Sequence, residues 1–156
     1  MHKQSEKNLL PIIKDVGCFF LSCINMIELK YGIKILVPGR INMLWEQCKY
    51  IGCIDNDNKI LDSAMVMNEI LFFLDIKDRF IEIATKSNGV INYYPYVEKY
   101  HKEWKNEKKF YIQKILTEYD TTHFRIVDDN ENIIFDTLDN LPEVKKVLYT
   151  IVYINK

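Results

Sequence analysis

The sequence has little arginine and no excess of basic charge. Only three of its 21 basic residues are arginine, and 22 acidic residues leave a net charge of −1. A protein that binds nucleic acid over a broad surface needs clustered basic charge, so this composition excludes a large nucleic-acid footprint. The abundance of lysine, isoleucine and asparagine is typical of AT-rich bacterial genomes and predicts a bacterial protein.

Long apolar runs are also missing. None approaches the ~18 residues of a membrane span. The charged N-terminal segment is interrupted by Pro11 and does not have the pattern of a signal peptide. We therefore predict a cytoplasmic protein with reduced thiols and no membrane partner.

The cysteines do not have the spacing of a metal or redox site. The four of them form no Cys-x-x-Cys pair, and they stand at Cys18, Cys23, Cys48 and Cys53. The run 55–59 resembles a calcium loop, but Ile60 and Val66 stand where that loop needs glycine and glutamate. We expect no metal and no cofactor.

The length of 156 residues predicts one domain over residues 1–156, with residues 1–10 as a tail that settles onto it. Apolar spacing predicts helices over 17–31, 41–51 and 61–74, with Asp15 capping the first and Gly32 ending it. An extended piece and a turn fill 34–40. Strands are predicted over 79–85, 109–118, 122–128, 132–138 and 147–154. The order indicates an α+β fold, with N-terminal helices packed on a C-terminal antiparallel sheet.

The segment 87–109 interleaves aromatic and basic residues, a pattern found in proteins that bind single-stranded nucleic acid. Its charges are mixed, which favours a loop followed by a solvated helix over 97–105. Three tyrosines there are candidates for a substrate groove or for simple loop packing: Tyr93, Tyr94 and Tyr96.

The most informative stretch is THFRIVDDNENIIFD, residues 122–136, which we interpret as a hairpin. A two-residue turn at 129–130 or a four-residue loop over 128–131 gives the same register, with His123 directly opposite Asp136. Phe124 then pairs with Phe135 on the face toward the core. Opposed side chains on one face lie about 5 Å apart, so the carboxylate would orient the imidazole.

A thiol near that pair would complete a nucleophile, a base and an orienting acid. Cys18 opens the first long helix, where the positive end of the backbone dipoles favours a thiolate. Gly17 before it would leave room for a substrate backbone.

These three motifs, GCFFLS, HFRIVD and IIFD, resemble the papain-like cysteine peptidase superfamily, especially its small bacterial leader-peptidase branch. The resemblance covers residues 14–154 and implies a papain-like fold. It also implies Cys18 as nucleophile, His123 as general base and acid, and Asp136 as the orienting carboxylate. The superfamily usually has a glutamine six residues before the cysteine to bind the oxyanion. Ile12 stands there, so Lys14 and the backbone N–H of Cys18 are the substitutes, with Gln4 available only if the tail folds back.

Two functions follow from the resemblance. The first is a cysteine hydrolase, a peptidase or amidase that acts on a peptide or protein substrate. The second is a papain-like protein that binds or regulates without catalysis, which the missing glutamine favours. The sequence carries no signal of oligomeric state.

Overall fold

The N-terminal half of the chain is helical and the C-terminal half forms a sheet, so the fold is α+β. The computed structural model describes residues 1–34 and 37–156. Four helices come first: α1 (Pro11–Val16), α2 (Cys18–Tyr31), α3 (Pro38–Ile51) and α4 (Ser63–Phe73). Helix α1 was not expected from the sequence, because its single apolar turn is too short to show a helical period.

The helix ends follow from capping chemistry. Gly32 ends α2 in the left-handed conformation at φ 64°, as predicted. The prediction that Asp15 caps α2 is wrong, because Asp15 lies inside α1 and Gly17 precedes Cys18 as the N-cap. Asp62 caps α4 by accepting the Met65 N–H at 2.9 Å.

Helix α3 begins earlier than the predicted residue 41, because proline favours the first helical position and Pro38 occupies it. The predicted turn over 38–40 is therefore the first turn of α3. The predicted extended piece falls largely on residues 35 and 36, which lie outside the described residues.

In the part of the chain that the structure describes, six antiparallel strands form one sheet with the order β2-β1-β6-β3-β4-β5. They are β1 (Phe80–Ser87), β2 (Val90–Tyr93), β3 (Lys109–Thr117), β4 (Thr122–Val127), β5 (Ile133–Asp136) and β6 (Val144–Asn155). Strand β2 was predicted as loop. The predicted helix over 97–105 is instead α5 (Pro95–Tyr100) followed by a 3-10 helix (Lys102–Asn106).

The sheet separates two apolar clusters. The larger lies between the helices and one face of the sheet, where Phe20 of α2 meets Trp45 of α3 edge to face at 5.1 Å. The smaller lies on the opposite face, where Val97 of α5 is fully buried. Within residues 1–34 and 37–156, no helix has both the length and the apolar character needed to cross a lipid bilayer.

Candidate active site

The short helix α1 and the longer helix α2 meet at Gly17 and set the position of Cys18. The Gly17 N–H donates to Ile13 O of α1 at 2.9 Å, and its carbonyl accepts the Leu21 N–H of α2 at 2.8 Å. No side chain caps the start of α2, so the positive end of its backbone dipoles is directed toward the Cys18 region. Cys18 is partly exposed, whereas the other three cysteines are buried. It is therefore the thiol that a substrate or reagent can reach.

Gly17 has a different structural role from the one predicted. A Cβ at this position would clash with the backbone oxygen and the side chain of Ile13. The missing side chain therefore allows α1 to turn directly into α2, and the space beside Gly17 is filled by the protein rather than open to substrate.

The hairpin of β4 and β5 does not have the predicted register. Arg125, rather than His123, pairs directly with Asp136, and Ile126 pairs with Phe135. Two extra residues cause the shift. The turn contains a left-handed Glu131 at φ 66°, and a bulge at Ile134 adds a second residue.

Beyond the bulge the total shift is two residues, which keeps Phe135 and Asp136 on their predicted faces because strand side chains alternate with a period of two. His123 and Asp136 therefore share one face as diagonal rather than direct neighbours. Their side chains still meet, since Nε2 of His123 lies 2.6 Å from Oδ1 of Asp136. Diagonal neighbours in a sheet are within reach of long or aromatic side chains.

The carboxylate of Asp136 is held on more than one side. Its Oδ1 also accepts the Leu138 N–H at 2.9 Å, and both members of the pair are only 4% exposed. Because Nε2 of His123 faces this carboxylate, Nδ1 is the ring nitrogen left for another partner.

Helix α2 packs against β4, the strand that carries His123. Phe19 stacks on Phe124 of β4 with ring centroids 4.1 Å apart, and Ser22 Oγ donates to Phe124 O at 3.4 Å. Cys18 precedes Ser22 by one helical turn and so lies on the same side of α2, against β4. The Cys18 thiol is one of the neighbouring groups that raise the pKa of His123.

Two opposing effects set the charge of His123. Burial lowers its pKa, but hydrogen bonds to Asp136 and Cys18, together with their charges, raise the pKa to about 9. The imidazole is therefore protonated near neutral pH.

Lys14 and Gln4, the two side chains considered for binding the oxyanion, differ in their exposure to solvent. Lys14 is exposed, and its backbone carbonyl is the group that faces the tail. The tail does fold back: Gln4 is 8% exposed, and its Nε2 donates to Lys14 O at 2.9 Å. Its Oε1 accepts from Thr137 Oγ1 at 3.1 Å. Gln4 thus lies between the chain that leads to Cys18 and the residue after Asp136.

The remaining cysteines, histidines and tyrosines lie elsewhere. Cys23, Cys48 and Cys53 are buried in the core. Tyr94 and Tyr96 hydrogen-bond to Glu82 of β1. That strand lies near the opposite edge of the sheet from β4 and β5, so these tyrosines do not join the site. His101 stacks on Trp104 with ring centroids 3.8 Å apart, and its Nδ1 lies 3.5 Å from Glu103 Oε1. The nearby Glu98 pairs with Lys105 at 2.6 Å.

Contacts of the tail were not foreseen from the sequence. His2 is buried, with its Nε2 2.8 Å from Glu28 Oε1, and Lys3 reaches the backbone after β5. A polar segment that packs through hydrogen bonds has no apolar period, so no sequence pattern marks it.

No family model, no curated protein and no solved structure matches this chain. Among the described residues, no group of three or more histidine, cysteine, aspartate or glutamate side chains is arranged to hold a metal ion.

Proposed function

We propose that this chain is a papain-like cysteine hydrolase that cleaves an amide bond of a peptide or protein through an acyl-enzyme at Cys18. One observation carries the proposal. The buried His123–Asp136 pair, with Nε2 and Oδ1 2.6 Å apart, holds an imidazole whose other nitrogen is available to a thiol at a helix N-terminus.

The first half of the reaction uses Nδ1 of His123 as a proton carrier. The Cys18 sulfur attacks the amide carbon as a thiolate, with its proton already on Nδ1 of the His123 imidazolium. The carbonyl oxygen becomes an oxyanion, which the backbone N–H of Cys18 stabilises at the start of α2. The imidazolium then gives its proton to the leaving amine, and a thioester remains on Cys18.

The second half releases the acid product. His123 accepts a proton from water, the hydroxide attacks the thioester carbon, and the thiol leaves with the proton returned by the imidazolium. Asp136 keeps the ring oriented through both halves and stabilises its positive charge.

A second candidate function is a papain-like protein that binds a peptide or regulates a partner without turnover. The favouring observation is the absence of a side-chain amide at the usual position, where the half-buried Ile12 stands. Loss of one oxyanion donor costs about 10²–10³ in rate, which would leave binding as the main activity.

Turnover of a library of fluorogenic peptides and amides distinguishes the two functions. The hydrolase requires cleavage by the unmodified protein and no cleavage by Cys18→Ala. As a matched control, Cys23→Ala changes a cysteine of the same helix that is fully buried, and it should keep the activity of its folded fraction. Binding of a peptide by both the unmodified protein and Cys18→Ala, with no cleavage by either, would instead support the second function.

A further inference from the structure

We propose that Gln4 is a positioning residue of this site, whose carboxamide fixes the segment carrying Asp136 relative to the helices that present Cys18. The inference rests on the proposed function, because it assigns Gln4 a role in the geometry of the same thiol, imidazole and carboxylate.

Gln4 joins the two parts of the site with three hydrogen bonds. Its Nε2 donates to Lys14 O at 2.9 Å, three residues before Gly17. Its Oε1 accepts from Thr137 Oγ1 at 3.1 Å, and its backbone N–H donates to Thr137 O at 2.9 Å. Gln4 and Thr137 are only 8% and 1% exposed. One buried side chain therefore spans from α1 to the residue that follows Asp136.

Asp136 needs such support because of its place in the sheet. It is the last residue of β5, a four-residue strand at the edge of the sheet that, within the described residues, pairs with β4 alone. The tail supplies contacts on the outer side. Besides Gln4, Lys3 Nζ donates to Asp136 O at 2.7 Å and to Leu138 O at 2.9 Å. The backbone around the acid is thus held from outside by residues 3 and 4.

The rest of the tail is anchored without Gln4. His2 and the Asn25 side chain exchange two hydrogen bonds, at 2.7 and 3.0 Å. At the other end of the tail, the Asn42 side chain accepts from the Leu10 N–H at 2.9 Å and donates to Asn8 O at 2.7 Å. Loss of the Gln4 carboxamide should therefore disturb the spacing between α1 and Thr137 while the tail stays docked.

These contacts provide a matched control. Asn42, like Gln4, uses its carboxamide to make one donor and one acceptor hydrogen bond that hold the tail. Leu10 is the N-cap of α1, so Asn42 holds the start of that helix, but these two bonds do not link the helix to the segment after Asp136 as those of Gln4 do. A purely structural effect should appear in variants of both residues, whereas a positioning effect should appear only in variants of Gln4.

The test compares Gln4→Leu, Gln4→Glu and Asn42→Leu in the full chain. For each variant we would measure the alkylation rate of Cys18 by iodoacetamide from pH 6 to 9, and the midpoint of thermal unfolding.

Misplacing a reacting group by about 1 Å can cost 10²-fold in rate. We expect Gln4→Leu to lower the rate at pH 6.5 about tenfold and to shift the pH–rate profile toward that of a free thiol. Gln4→Glu keeps the acceptor for Thr137 but loses the donor for Lys14, so its rate should be intermediate. Asn42→Leu should lower the midpoint and leave the rate and profile unchanged.

A folded Gln4→Leu with the unmodified rate and profile would overturn the assignment of Gln4, and so would an equal loss of rate in Asn42→Leu. If Gln4→Leu does not fold, Gln4→Glu decides by the same comparison. If the unmodified protein reacts no faster than free cysteine, the proposed function fails and this inference fails with it. A fast unmodified protein with insensitive Gln4 variants refutes the role of Gln4 alone.

Discussion

At the residue scale, the charge of His123 links the site to the stability of the fold. Burial opposes the positive charge, yet the carboxylate of Asp136 at 2.6 Å and the Cys18 thiol raise the pKa of His123 to about 9, from 6.5. The folded state therefore binds the imidazole proton more tightly than the unfolded chain does. Such a group stabilises the fold fully below pH 6.5, and the contribution is lost as pH rises through 9.

Replacing Asp136 by Asn should remove most of this contribution. We expect the loss in free energy of unfolding to be greater at pH 6 than at pH 9.5, by on the order of 2–3 kcal/mol, because the unmodified protein loses its protonated imidazole over that range. Urea unfolding of both proteins at the two pH values measures the difference. Asp139→Asn, at an exposed position near by, is the control and should show no such change. A loss that is equal at both pH values would contradict the pairing of His123 with Asp136.

At the element scale, the junction of α1 and α2 determines where the nucleophile lies. Gly17 serves as the C-cap of one helix and the N-cap of the next, and its α-carbon approaches Ile13 too closely for a side chain. The first turn of α2 thus depends on a glycine for steric reasons, with an ordinary φ of −82°.

Gly17→Ala should therefore separate the two helices. We expect a loss of about 1–3 kcal/mol in the free energy of unfolding, typical of overpacking, together with a slower reaction of Cys18. Gly39→Ala is the matched control, since a Cβ there meets nothing within 4 Å in the first turn of α3. It should be neutral or stabilising by up to about 1 kcal/mol. Chemical denaturation of both variants tests this, and equal effects would contradict the close approach.

The hairpin that carries the base and the acid also depends on one backbone conformation. Glu131 has a φ of 66°, and Asp128 Oδ1 accepts the N–H groups of Asn130 and Asn132 at 2.9 Å each. A left-handed residue other than glycine costs roughly 1 kcal/mol.

Glu131→Gly should relieve this cost and stabilise the protein by about 1 kcal/mol. Asn130→Gly, one position earlier and without a positive φ, should instead destabilise it by several tenths of a kcal/mol, because glycine adds entropy to the unfolded chain. Thermal unfolding of the two variants checks the turn. Stabilisation by Asn130→Gly rather than Glu131→Gly would favour a different turn and register.

At the scale of the whole molecule, the sequence predicted the helical and sheet layers of the fold. It did not predict strand β2 or the register of the β4–β5 hairpin. Apolar periodicity predicted α2 and α4, and alternating β-branched runs predicted β3 to β6, because both patterns follow directly from burial. Strand β2 was missed, since its alternation over four residues is too short to be distinguished from a loop. The hairpin register was shifted because a bulge and a left-handed turn residue leave no apolar signature.

The faces of the hairpin could be predicted because the side-chain period of a strand survives a shift of two residues. That is why His123 and Asp136 meet despite the wrong register. The contacts of Gln4 and Lys3 could not be predicted, since hydrogen bonds between residues more than 130 positions apart depend on the completed fold.

The reactivity of Cys18 tests the central claim most directly. At pH 6.5 a free cysteine with a pKa of about 8.5 is only about 1% thiolate. The proposed hydrolase requires Cys18 to react with iodoacetamide at least about tenfold faster than free cysteine, and His123→Ala should abolish the advantage. A second-order rate constant for Cys18 equal to or below that of free cysteine at this pH would contradict the account.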